Sequence, residues 1–143
     1  MRHAVTVLTL AALVALAALL GGCGFAPFEA GTAPDLQELG QKAGVVILDQ
    51  GKAETRYAGQ TSAEWYAVGR EGSDEVHAVV FVLRFESTRD RNEAFRQIQY
   101  RMGRGLPPAV IYTAGDAVIQ VSRIGDFGTV QDLNEALLDA GAQ

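Results

Sequence analysis

The stretch Ala63–Glu86, "AEWYAVGREGSDEVHAVVFVLRFE", restricts the fold more than any other part of the chain. Its second half is almost unbroken in apolar residues. Sorted by the two-residue period of a strand, Val79, Phe81, Leu83 and Phe85 fall on one face, and Val76, Ala78, Val80 and Val82 on the other. A strand that is apolar on both faces has to be covered, at least partly, on both, so this segment reads as a central strand. The residues before it read as its hairpin partner, turning at Gly72-Ser73. A two-residue turn would set Arg70 opposite Glu75, Val68 opposite His77 and Tyr66 opposite Val79.

A helix follows directly. Ser87 is placed to cap it, with Asp90 three residues on, and Phe95, Ile98 and Met102 form its apolar stripe. Gly103 and Gly105 end it, and Pro107 and Pro108 bar its continuation. A second hairpin spans Ala109–Ile124 around Gly115-Asp116. Its register is self-consistent: Ala114 meets Ala117, Tyr112 meets Ile119 and Val110 meets Val121, all on one apolar face. A last helix is expected from Thr129, with Val130, Leu133, Ala136, Leu137 and Ala140 as its buried arc. Ahead of all this, Pro34-Asp35-Leu36 reads as a helix start closed by Gly44. Val45–Asp49 reads as a strand turning at Gln50-Gly51, with Ala53–Ala58 as its partner.

The order strand-strand-helix thus occurs twice. It predicts an α+β fold: an antiparallel sheet of four or more strands with two helices packed on one face, a two-layer sandwich. In outline this resembles ferredoxin-like and related two-layer folds, and such an outline licenses no function.

The first residues concern address rather than fold. Met1-Arg2-His3 precedes the apolar run Ala4–Leu20, the layout of a signal peptide. That run lies near the lower limit of a membrane span, so length alone leaves an anchor helix open. Leu20-Gly21-Gly22-Cys23 resembles the lipobox of bacterial lipoproteins, and Cys23 is the chain's only cysteine. The resemblance covers residues 1–23 only. It implies cleavage before Cys23, a diacylglycerol on the Cys23 sulfur, further acylation by a fatty acid such as palmitate, and attachment to a cell membrane or outer membrane, facing the periplasm or exterior. Gly24, where an aspartate commonly signals inner-membrane retention, would by the same resemblance permit sorting outward. Two or three acyl chains anchor a protein stably, because each buried methylene contributes about 0.8 kcal/mol. The chain is therefore divided into a signal peptide (1–22), a lipidated tether (23–34) and one α+β domain (35–143). In the tether, Phe25 and Phe28 either dip into the lipid interface or pack on the domain.

Composition matters mainly for what it excludes. Without the leader, 11 basic residues face 17 acidic ones, a formal charge of −6. An acidic domain argues against nucleic acid as a partner, because phosphates require a basic face. It argues equally against lying flat on anionic lipid. Only His77 remains after cleavage, so neither a zinc site nor a cysteine-histidine dyad can be assembled, and no serine sits in a Gly-x-Ser-x-Gly elbow. His77 reads as a strand residue. Gly125-Asp126-Phe127-Gly128 shares letters with the kinase Asp-Phe-Gly motif but has no phosphate loop or catalytic loop beside it, and reads as a loop. Asp74, Glu75, Asp116 and Asp126 lack calcium-loop spacing and read as turn residues. No metal and no cofactor is expected.

Two groups remain as candidate partner or ligand surfaces. Arg89, Arg96 and Arg104 share one face of the first long helix with Tyr100, and Glu93 lies among them at salt-bridge spacing. Trp65 and Tyr66 point to opposite faces of their strand, so one of them, with Tyr57, can form an aromatic patch. The expected function is a non-enzymatic interaction module of an envelope lipoprotein, acting on another envelope protein and held to the bilayer through acylated Cys23. The alternatives are a tethered small-ligand-binding or sensing domain with a pocket near Trp65, and a small envelope hydrolase.

Overall fold

The computed structural model describes residues 33–104 and 109–143. Residues 1–22, read above as a signal peptide, the lipobox-like Leu20, Gly21, Gly22 and Cys23, and Phe25 and Phe28 lie outside the described residues, as do Gly105, Pro107 and Pro108.

Eight elements follow in order: α1 (Leu36–Ala43), β1 (Val45–Lys52), β2 (Gln60–Arg70), β3 (Ala78–Phe85), α2 (Thr88–Met102), β4 (Ala109–Ala114), β5 (Ala117–Arg123) and α3 (Phe127–Asp139). The five strands form one antiparallel sheet in the order β1-β2-β3-β5-β4. The α+β class and the antiparallel sheet are as the sequence predicts, and β3 is the central strand.

The helices are distributed differently. Ala78, Val80 and Val82 of β3 join Ala117, Ile119 and Val121 of β5 in a core closed by Leu36 and Leu39 of α1 and Val130, Leu133 and Leu137 of α3. Leu83 and Phe85 of β3 and Val118 of β5, on the other side of the pleat, pack against Ala94 and Ile98 of α2. The two long helices therefore lie on opposite faces, with α1 joining α3, instead of sharing one face. The doubly apolar β3 requires cover on both sides, and this arrangement supplies it. Ile119, Leu137, Val80, Val118 and Val121 are all fully buried. Each contributes about 1.5–3 kcal/mol relative to exposure.

The local signals account for most boundaries. Ser87 Oγ accepts the Asp90 N–H at 3.1 Å and donates to Asp90 Oδ2 at 2.7 Å, a reciprocal cap that starts α2. Gly44, at φ +66°, closes α1 in the left-handed conformation. The second hairpin has the predicted register, Tyr112 opposite Ile119 around Gly115-Asp116.

Four local expectations are corrected. First, β1 runs through Gln50-Gly51 to Lys52 and pairs with β2, while 53–58 is a loop. Gly51 is needed for clearance, not for a turn. Second, the first hairpin is shifted by one residue: Tyr66 lies opposite Val80 and Trp65 opposite Phe81. Its connection is a seven-residue loop, 71–77, which doubles back so that the Glu75 carbonyl stands where a Cβ on Gly69 would be. A one-residue shift exchanges the faces of a strand. Third, Arg70 pairs with Asp132 of α3 at 2.6 Å instead of Glu75. Fourth, α3 begins at Phe127. Its cap is Asp126, which accepts from the Thr129 N–H at 2.9 Å and the Thr129 hydroxyl at 3.1 Å.

Candidate functional site

The register places Trp65, Val79 and Phe81 on the face of the sheet that carries α2. Val46 is on the same face, opposite Gly69, and the Leu48 side chain at the β1 bulge folds over Gly69. Because α2 covers only the Leu83–Phe85 end, these five apolar side chains are half-buried. Trp65 lies flat across β1: a Cβ at position 51 would stand 2.7 Å from its Nε1 and 2.9 Å from its Cε2. Gly51 therefore makes room for the indole.

Beside this strip, α2 forms a ridge. Arg89, Arg96, Tyr100 and Arg104 are all exposed and point away from the sheet, opposite the buried Ala94 and Ile98. Tyr100 is 63% exposed, and the Arg104 guanidinium lies 4.9 Å from its ring centroid. Arg96 pairs with Glu93 at 3.0 Å. At the flank, Arg101 lies 5.9 Å from the Tyr57 ring, which packs into the α2-side core. Between Thr88 and Arg104, five arginines face two acidic residues, although the whole chain is acidic. Six of the seven surface candidates, Tyr57, Trp65, Arg89, Arg96, Tyr100 and Arg104, thus share one side of the sheet.

Tyr66 does not. It faces α1 and α3, where its hydroxyl donates to Glu64 Oε2 at 2.8 Å. Burial pushes its pKa up to about 12, with the Glu64 carboxylate adding to the effect. A pocket of about 240 Å³ opens there between Gln50, Lys52, Glu64 and Tyr66. On the same side a larger groove of about 490 Å³ runs between α1 and α3. Leu39, Ala43, Ala136 and Ala140 form its apolar part, Asp132, Glu135 and Asp139 an acidic rim on α3, and Lys42, paired with Glu38 at 3.1 Å, the α1 edge. The sequence reading gave Ala140 to the core, but it is exposed and borders this groove.

The remaining polar candidates have structural roles. His77 is buried, and its Nδ1 accepts the Asp126 N–H at 3.1 Å, so that nitrogen carries no proton in this bond. The His77 carbonyl accepts from Ile124 and Gly125. It ties the β5–α3 loop to β3. The Asp126 carboxyl is held below the usual carboxylate range, first by the Thr129 N–H and then by the Thr129 hydroxyl.

Asp116, expected as a solvated turn residue, is a hub. Its Oδ1 accepts from Arg84 Nη1 at 3.0 Å and from the Ala33 N–H at 2.9 Å. Ala33 is buried, so the core reaches two residues ahead of the boundary read from sequence. Among the described residues, no group of three or more His, Cys, Asp or Glu is arranged to hold a metal ion. Among them too, no helix is long and apolar enough to cross a membrane.

What this surface can do follows from its donors. Guanidiniums grip carboxylates or phosphates in two-pronged fashion, and a half-open aromatic strip beside them supplies apolar contact area. Comparison with family models, curated proteins and solved structures finds no match for the chain.

Proposed function

We propose that this chain is a lipid-anchored bacterial envelope protein whose α+β domain is a non-enzymatic docking module. The observation that supports it best is the gathering of Arg89, Arg96, Tyr100 and Arg104 on the α2 ridge, next to the half-open strip of Trp65, Val79 and Phe81. Tyr, Trp and Arg dominate protein-protein contact energies, and here they share one side of the molecule. The lipobox-like Leu20-Gly21-Gly22-Cys23 supports the anchor, which would hold this domain at a membrane surface.

The test is crosslinking in native membranes, followed by pull-down of the full chain and of Cys23→Ala. A dominant protein partner, diminished for Cys23→Ala and for Arg89→Gln/Arg96→Gln/Trp65→Ala, is expected. Recovery of no protein partner, together with a melting temperature raised by a small metabolite, would overturn the reading in favour of a ligand-binding domain.

A further inference from the structure

The ridge and the groove are complementary to each other. The ridge is basic, aromatic and convex; the groove is acidic, floored by small residues and concave. Asp132 on the α3 rim is already paired with Arg70 at 2.6 Å, and Lys42 across the groove with Glu38 at 3.1 Å, so the exposed Glu135 and Asp139 are the carboxylates the rim presents to a partner. Arg89 and Arg96 are seven residues apart, about 10.5 Å along α2, and Glu135 and Asp139 four apart, about 6 Å along α3, a difference that the long arginine side chains can span. Ala43, Ala136 and Ala140 leave space for a third helix to approach, and the exposed Tyr100 ring provides an apolar knob for it.

The two surfaces lie on opposite faces of the sheet, so they cannot meet within one molecule. We infer that the α2 ridge of one copy docks into the α1–α3 groove of a second copy, giving head-to-tail association. The partner is thus a second copy of this chain. Such a contact is heterologous and extends into rows unless the rotation between copies closes a ring. The net negative charge opposes association at a distance, but at physiological salt it is screened beyond about 8 Å and the local ridge-groove pairing governs contact. The inference rests on the docking-module reading in one respect, that the ridge is a protein-binding surface.

The experiment uses two differently tagged full-length copies, coexpressed in a bacterial host and extracted in mild detergent. Wild-type copies are expected to capture each other. Arg89→Gln/Arg96→Gln copies, and separately Glu135→Gln/Asp139→Asn copies, should capture their own kind at least about fivefold less. A ridge variant mixed with a groove variant should regain capture, because one intact ridge and one intact groove remain. All four positions are surface positions, and unchanged melting temperatures would exclude misfolding. No capture between wild-type copies overturns the inference, as does undiminished capture between like variants or failure of the mixed pair. Docking of a different protein at the ridge, scored by the crosslinking test above, would survive such a failure.

Discussion

Gly51→Ala separates two opposing effects at the aromatic strip. Alanine suits a strand interior better than glycine by about 0.5–1 kcal/mol, so without any obstruction the substitution would stabilise. Here the new Cβ would stand 2.7–2.9 Å from three atoms of the Trp65 indole, and a half-buried ring has to move to admit it. Overpacking of this kind costs about 1–3 kcal/mol. The net is a loss of about 1 kcal/mol, a fall of roughly 4–8 °C in melting temperature for a domain of this size. Trp65 is the only tryptophan, so its fluorescence reports the displacement directly, and a red shift is expected as the ring moves toward water. In a Trp65→Leu background the same substitution should be neutral or stabilising. An unchanged spectrum with an equal or higher melting temperature in the wild-type background would show that the indole does not lie on Gly51.

Other perturbations test the supports around the surface. Asp116→Ala strips Arg84 and the Ala33 N–H of their acceptor and should cost about 2–3 kcal/mol in urea denaturation, with faster exchange of the Ala33 amide; adding Arg84→Met should recover part of the loss. Because the Asp126 pKa is lowered in the folded state, its capping contribution is present above the ordinary carboxylate pKa and is lost as pH falls through the folded value. Melting temperature should therefore fall less steeply on acidification in Asp126→Asn than in the wild type. Tyr66, with its pKa raised to about 12, stabilises fully below pH 10 and loses that contribution as pH rises from 10 to 12. Its loss amounts to about 1–2 kcal/mol once solvent screening is allowed for. Ultraviolet titration should show late ionisation from Tyr66 and from Tyr112, which burial also raises; the Tyr66 part should disappear in Tyr66→Phe and move earlier in Glu64→Gln.

The sequence was most legible where the information is local. The Ser87–Asp90 cap, the α2 stripe and the Gly115-Asp116 hairpin each rest on residues a few positions apart; the cap and the hairpin register occur as read, and in the stripe Ile98 is buried with the unread Ala94 while Phe95 and Met102 are half-buried. The arginine ridge was legible for the same reason, since helical spacing alone puts Arg89, Arg96 and Tyr100 together. Longer-range features were not. The seven-residue loop 71–77 admits either parity of pairing, and the shift it introduces decides whether Trp65 or Tyr66 joins the ridge. Gly51 read as a turn because sequence does not show a tryptophan fourteen residues away lying across it. β3 announced that both its faces are covered but not by which helix. Asp116 gave no sign of its role, as Arg84 and Ala33 are 32 and 83 residues distant. The groove had a partial signal in the acidic spacing of α3, but its other wall comes from α1.

The most direct test of the account is mass spectrometry of the amino-terminal peptide from protein extracted from bacterial membranes. The account predicts a peptide that begins at Cys23 and carries a diacylglycerol on sulfur, with the modification and membrane retention both lost in Cys23→Ala. A peptide retaining Met1–Gly22, or one with an unmodified Cys23 thiol, would contradict it.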